Sequence, residues 1–243
     1  MTVLFQIGHL ERLPLGTPYP AIVAHVGRLL AKLPGGRPEL VIDHTGVGRP
    51  VFDMFVYSGI YPLGVVITAG TAETHEGGFC SVPKLTLVSR LQALLHEGRL
   101  KIQRELGEAE TLVRELQDFR VDYTAAGHLT FNARSGKHDD LVLALAIAVW
   151  KAHGGGFPSE GIFRVAEEKA VQLTGRVVGP RYVVGVDLGQ SRDPTAFAVV
   201  RRVDPEQLAE PFIPPAPTLD YAPCSLEHAA AQAAAAQRDP PAK

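Results

Sequence analysis

Cysteine, methionine and tryptophan are scarce in this chain of 243 residues, which has two, two and one of them. Cys80 and Cys224 lie in unrelated contexts without metal-ligand spacing, and the histidines also lack the spacing of a zinc site. These absences argue against a disulfide framework and against a zinc finger. We expect reduced thiols and a cytoplasmic protein.

A long hydrophobic run and a strong excess of charge are missing as well. The longest strongly apolar run is roughly half of a membrane span, and residues 1–5 lack the basic start of a secretory signal. We therefore expect a soluble protein that has no membrane partner. The net charge of −2 gives no overall signal for nucleic acid, but it leaves room for a local basic face.

The motifs of two large enzyme classes are also missing. Residues 43–50 resemble a phosphate loop but lack the Walker spacing and its Lys-Ser/Thr end, so ATP hydrolysis is not supported. The sequence has no Ser-His-Asp signature of any specificity, so a serine hydrolase is not supported either.

Apolar strands alternate with amphipathic helices along most of the chain. Helical spacing covers residues 18–33, 49–58, 81–97 and 108–119, and strands are expected at residues 2–8, 40–43, 64–68 and 100–102. A polar hairpin over residues 121–133 precedes a strongly apolar helix that starts near Asp140. The alternation predicts an α/β fold in which helices pack on a mainly parallel sheet.

Composition divides the chain into four parts. Residues 1–153 carry the alternating pattern and form the predicted core, and residues 154–180 begin with glycines and are interpreted as a linker. Residues 181–203 contain two apolar strands of a predicted hairpin. Residues 204–243 are rich in proline and then in alanine, so we expect a flexible tail.

Aspartates lie where several of these predicted elements begin or end. Asp43 ends one apolar strand, Asp187 ends another and is followed by a turn with Asp193, and Asp139 and Asp140 open the apolar helix. A single Asp is a good helix N-cap and needs no functional explanation. Two adjacent like charges beside an apolar helix are unfavourable unless a cation lies nearby.

The ends of the strands point to a metal site. Sites in α/β sheets form beyond the carboxyl ends of the strands, which is where Asp43 falls. Carboxylate oxygens suit Mg²⁺ or Mn²⁺, and two such ions roughly 4 Å apart activate water and stabilise a leaving phosphate oxygen. The sequence therefore predicts a metal-dependent site built from these aspartates.

Three segments that contain these aspartates are more specific together than apart. They read Gly185-Val-Asp-Leu-Gly-Gln-Ser-Arg-Asp-Pro-Thr-Ala196, Val41-Ile-Asp-His-Thr-Gly-Val-Gly48 and Lys137-His-Asp-Asp-Leu-Val-Leu-Ala-Leu-Ala146. In this combination the chain resembles the nuclease domain of phage terminase large subunits, a branch of the ribonuclease H-like (RuvC/integrase) superfamily. Supporting matches are found at residues 9–12, 82–84 and 114–119.

The resemblance implies a fold, an activity and a set of ligands. The fold is a central mixed sheet flanked by helices, and the activity is endonuclease cleavage of packaged double-stranded DNA with two ions of Mg²⁺ or Mn²⁺. Asp187 would bridge the metals, Asp43 would be the second ligand, and Asp140 or Asp139 the third. Asp193 matches an additional acidic position, and other phage packaging proteins are implied as partners.

The chain departs from the family pattern in two ways. It has no counterpart of the packaging ATPase domain, so we expect that it does not translocate DNA by itself. The hairpin that contains Asp187 comes first in the family but follows the last helix here, which is a circular permutation. The hairpin either completes the sheet of its own chain or is exchanged in a swapped dimer.

Two other functions compete with a nuclease. The Asp187-Leu-Gly189 turn also resembles the first phosphate loop of sugar kinases and actin-like ATP-binding proteins, but that fold normally needs two such domains. Neutral charge and permutation also suit a catalytically inactive, prophage-derived module that binds DNA or a phage partner. Removal of the Asp cluster distinguishes this module from a nuclease, because only a nuclease loses activity.

Overall fold

The fold is given by a computed structural model that describes residues 3–34, 38–46, 48–76, 78–123, 129–133, 138–156, 182–189 and 193–203. Five helices occur within these residues: α1 (Tyr19–Lys32), α2 (Gly48–Tyr57), α3 (Lys84–His96), α4 (Ala109–Asp118) and α5 (Asp140–Ala152). The strands are β1 (Leu4–Arg12), β2 (Glu39–Asp43), β3 (Leu63–Thr68), β4 (Thr74–Glu76), β5 (Phe79–Pro83), β6 (Leu100–Ile102), β7 (Phe119–Tyr123), β8 (Leu129–Ala133), β9 (Tyr182–Asp187) and β10 (Ala196–Val203).

Eight of these strands form one sheet in the order β4-β5-β3-β2-β9-β10-β1-β6. Strand β2 is parallel to both β3 and β9, whereas β10 is antiparallel to both β9 and β1. Strands β7 and β8 pair with each other outside this sheet. The predicted α/β fold, a mixed central sheet flanked by helices, is confirmed.

Helices cover both faces of the sheet. Helices α1 and α2 pack on one face of the sheet, where they contact β9 and β10. Helices α3, α4 and α5 pack on the opposite face. Helix α5 is buried along nearly its whole length, as its apolar sequence predicted. It also lies very close to the sheet, because a Cβ atom at Gly185 would overlap the backbone oxygen of Ala144.

The structure corrects two predicted elements. The helix expected over residues 81–97 begins at Lys84, because Phe79–Pro83 forms β5 between β3 and β4. Cys80 and Val82 are buried at alternate positions of this strand. Two residues are too few to show a period of two beside the helical pattern that follows. The strand expected over residues 2–8 extends to Arg12. A bulge at Gly8 breaks the alternation of its side chains, so the sequence pattern does not show the second half of the strand.

Parts of the predicted division of the chain lie outside the described residues. These are residues 157–180 of the predicted linker and the whole of the predicted tail, residues 204–243. Strands β9 and β10, from the predicted hairpin, lie at the centre of the sheet between β2 and β1.

Among the described residues, no helix is both long enough and apolar enough to cross a membrane.

Candidate metal centre

One row of residues crosses four neighbouring strands at the edge where β1, β2 and β9 end. Ile42 is paired with Val186, so the next residues along these parallel strands, Asp43 and Asp187, are neighbours. Asp187 is paired with Ala196, which in turn is paired with Arg12. Residues of one row point to the same face of a sheet, and Ala196 packs on the α5 face. Both carboxylates therefore face the start of α5.

Asp43 is held in place by the turn that follows β2. Its Oδ1 accepts a hydrogen bond from the backbone N–H of Thr45 at 2.7 Å and another from the Thr45 hydroxyl. The same hydroxyl oxygen accepts the N–H of Ile67 in β3 at 2.8 Å. An Asx turn of this kind is common after a strand, and here it also fixes the direction of a buried carboxylate at the edge of the sheet.

The two aspartates at the start of α5 do not act as its side-chain cap. Asp139 has the N-cap position, but its side chain makes no capping hydrogen bond within the described structure. Glu115 of α4 does so instead, because its Oε2 accepts the N–H groups of Leu141 and Val142, each at 3.1 Å. The Asp139 carboxylate lies 3.0 Å from Nζ of Lys84. Simple capping therefore does not explain this pair of aspartates.

Asp140 is buried and lies among three charged or titratable groups. Its Oδ2 is 3.2 Å from Nη2 of Arg12 and 3.7 Å from Nδ1 of His138. His138 in turn lies 3.4 Å from Oδ1 of Asp193. One ligand atom from each of His138, Asp140 and Asp193 lies within 4.8 Å of the other two.

His138 is a candidate ligand that the sequence reasoning missed. It directly precedes the two aspartates, but the family resemblance implies only aspartates as ligands. Its role depends on Asp193, which is 55 residues later in the sequence and meets it only in the folded chain. The position of His138 beside the Asp139-Asp140 pair was the available signal.

The carboxylates at this edge disfavour one another's charge. Burial raises the pKa of Asp187 well above its usual range, and the charges of Asp43, Asp140 and Asp139 raise it further. Burial also raises the pKa of Asp43, and it raises that of Asp140 to about 6 against the opposing effect of Arg12. A bound cation would relieve this repulsion.

The donor set fits hard divalent cations. Carboxylate oxygens predominate, and a single imidazole stands at the rim, which suits Mg²⁺ or Mn²⁺ better than a thiol-preferring metal. Asp187 lies close enough to three other aspartates for their charges to raise its pKa, namely Asp43, Asp139 and Asp140. Asp193 is connected to this cluster through His138, which lies between Asp193 and Asp140.

The glycine after Asp187 has a structural reason for its small size. A Cβ atom at Gly189 would overlap the backbone of Asp193 and Pro194. Its N–H donates to the Thr195 hydroxyl at 3.1 Å. The returning chain thus occupies the space over Gly189.

Comparison with known proteins finds similarity over part of the chain. No family model matches it. The large terminase subunits of Thermus phage G20c and Thermus virus P23-45 are each 27% identical to it over 139 residues, which is 57% of this chain and 25% of the relative. The chain thus spans about a quarter of the length of these curated relatives.

A solved structure is also similar. It is the large terminase nuclease from thermophilic phage G20c with bound cobalt, and it matches 60% of this chain and 80% of its own with 22% identity and a TM-score of 0.42. By sequence, the chain shows weak homology to large subunits of phage terminases.

Proposed function

We propose that this protein is a divalent-metal-dependent endonuclease of the phage terminase large subunit type. It would cut phosphodiesters of double-stranded DNA with two ions of Mg²⁺ or Mn²⁺, in the cytoplasm of a bacterial host. The observation that carries the proposal is the row of Asp43 and Asp187 facing the aspartates that open α5. The weak homology to terminase large subunits supports it.

Three of the aspartates have proposed roles as direct ligands. Asp187 would bridge the two ions, Asp43 would hold one of them, and Asp140 would be the third direct ligand. We favour Asp140 over Asp139 because Asp140 lies beside His138 and Asp193, whereas Asp139 is engaged by Lys84. The ions, when bound, supply Lewis-acid activation of water and stabilisation of charge on the phosphate.

The residues around the ligands have supporting tasks. Thr45 fixes Oδ1 of Asp43, so this carboxylate needs little reorganisation before it binds a cation. Lys84 lies beside the acidic cluster, and its charge opposes the rise that burial causes in the pKa of Asp187 and of Asp43. The ammonium group of Lys84 is therefore suited to contact a phosphate of DNA that approaches the site from this edge of the sheet.

We also propose that a ribonuclease H-like core is built in permuted order. Strands β9 and β10 follow α5 in the sequence, yet they pair with β2 and β1 in the sheet. Residues 1–153 and 181–203 would then form one nuclease core. Light scattering distinguishes completion within one chain, which gives a monomer, from exchange of the hairpin, which gives a dimer.

The test of the activity is nicking of supercoiled plasmid in Mn²⁺ or Mg²⁺. We expect the wild type to nick, Asp43→Asn to lose nicking, and Asp53→Asn on α2 to retain it as a matched control. Double-stranded DNA is the proposed substrate, and packaging proteins are the proposed partners. A folded wild type that does not nick would contradict the proposal and favour an inactive DNA- or partner-binding module. Nicking that persists in Asp43→Asn would contradict the assignment of the site to these aspartates.

A further inference from the structure

Arg12 reaches the carboxylate face of the sheet because β1 contains a bulge. The pairing of β1 with β10 shifts between Ile7 and His9. Ile7 and Leu10 both join the core under α5, although they are three positions apart. In a regular strand, residues 9 and 11 would follow Ile7 onto this face. The bulge instead brings Arg12 into the row of Asp187, and bulges often redirect a side chain beside an active site.

Glu115 joins the same corner from α4. One of its oxygens, Oε2, accepts the N–H groups of Leu141 and Val142 in the first turn of α5. The other, Oε1, forms an ion pair with Nη2 of Arg12. Glu115 therefore links the end of α4, the start of α5 and the end of β1.

Arg12 completes the link, because the same Nη2 lies 3.2 Å from Oδ2 of Asp140. The side chains of Glu115 and Asp140 are each only 6% exposed, and that of Arg12 is 20% exposed. Rotation of a buried carboxylate away from its partner leaves a desolvated charge unpaired, which is costly. The cluster thus restrains Asp140 on the side of its Oδ2 atom.

We propose that Arg12 and Glu115 are positioning residues that hold Asp140 and the first turn of α5 in the geometry that binds the metal. This inference rests on the proposed function of the aspartates. Arg12 itself touches neither metal nor DNA in this account. It acts through Asp140, much as the outer partners of metal ligands do in other sites.

Positioning and simple electrostatics predict opposite results for Arg12. A positive charge beside the site repels a divalent cation, so its removal alone strengthens metal binding. Loss of positioning weakens metal binding instead. Arg12→Lys separates the two effects further. It keeps the charge but carries it on a shorter stem, so that its nitrogen does not reach the position from which Nη2 contacts both Glu115 and Asp140.

The experiment is calorimetric titration of the full-length protein with Mn²⁺, with thermal unfolding in EDTA as a check of the fold. We expect Arg12→Gln and Arg12→Lys each to raise the dissociation constant roughly ten- to hundredfold. The matched control is Arg114→Gln, which removes the same type of charge from the exposed side of α4, where the guanidinium bonds Thr111 and Glu110. We expect this control to bind like the wild type.

The variants distinguish failure of this inference from failure of the proposed function. Wild-type affinity in Arg12→Lys, or tighter binding by Arg12→Gln, would overturn the positioning role if Asp187→Asn still abolishes binding. Absence of Mn²⁺ binding by the folded wild type would overturn both proposals. If Arg12→Gln does not fold, Arg12→Lys decides alone, because it retains the charge that Glu115 and Asp140 require.

Discussion

A methyl group added to Gly185 of β9 should force α5 away from the sheet. The new Cβ would overlap the carbonyl oxygen of Ala144 and lie 2.9 Å from Cβ of Ala148. A backbone oxygen cannot rotate aside, so the helix must shift as a whole. Overpacking of this kind costs typically 1–3 kcal/mol and occasionally more, and we expect Gly185→Ala to cost about 3 kcal/mol. For a chain of this size, that lowers Tm by roughly 6–12 °C.

The assay is thermal and urea unfolding of Gly185→Ala beside Gly27→Ala. Gly27 lies within α1, where an added Cβ meets only Cδ1 of Ile60 at 3.5 Å, an ordinary contact. This control should be stabilised by about 0.4–1 kcal/mol, because alanine restricts the unfolded chain. Equal stability of the two variants would refute the close packing of α5 on β9. In the plasmid assay, Gly185→Ala should also lose roughly a hundredfold in rate, because a shift of about 1 Å separates Asp140 from Asp187.

Three further predictions concern buried charge. Burial alone would raise the pKa of Glu11, but hydrogen bonds with His25 and His9 lower it from 4.5 to about 2. The Glu11 carboxylate therefore stabilises the fold at pH values above its unfolded-state pKa, and this stabilisation is lost as the pH falls through its folded-state pKa. Glu11→Gln should cost about 1.5–3 kcal/mol in urea unfolding at neutral pH and little in strong acid. A cost that stays constant over this pH range would contradict the assignment. Glu115→Ala should cost about 2–5 kcal/mol by urea unfolding, because α5 loses its cap and Arg12 loses its partner. A loss under 1 kcal/mol, roughly that of a surface change, would argue against the link that Glu115 makes between α4, α5 and β1. Asp187→Asn should raise Tm in EDTA by relieving repulsion and abolish the rise that excess Mn²⁺ gives the wild type, and a variant that Mn²⁺ still stabilises would speak against its role.

The adjacency of Asp43 and Asp187 follows from the sequence by a simple physical rule. Each ends an apolar strand, and parallel strands bring their carboxyl ends to one edge of a sheet. Their pairing within one row also requires that β2 and β9 be neighbours in the register that places Ile42 opposite Val186. The mixed sheet was implied by family resemblance, whereas alternation of elements predicted only helices on a mainly parallel sheet.

The contacts around Asp140 were beyond reach of the sequence. Arg12 and Glu115 are 103 residues apart, and no local pattern links them. The face on which Arg12 lies depends on the bulge at Gly8, which has no reliable signature in one sequence. Local rules also favour an aspartate as the cap of α5, whereas Glu115 caps it through a tertiary contact.

Short elements were the other source of error. Strand β5 runs directly into α3 at Pro83, so a period of two merges with a period of 3.6. Three residues of β4 are too few to show any alternation. The same limits do not affect α5, whose apolar run is long enough to be recognised as a buried helix.

The decisive experiment is to locate Mn²⁺ in crystals of the protein from its anomalous scattering. The proposed two-metal site predicts two peaks roughly 4 Å apart, one between Asp43 and Asp187 and one between Asp187 and Asp140. Absence of a peak beside Asp187 at saturating Mn²⁺, or a peak confined to the exposed pair His138 and Asp193, would contradict it.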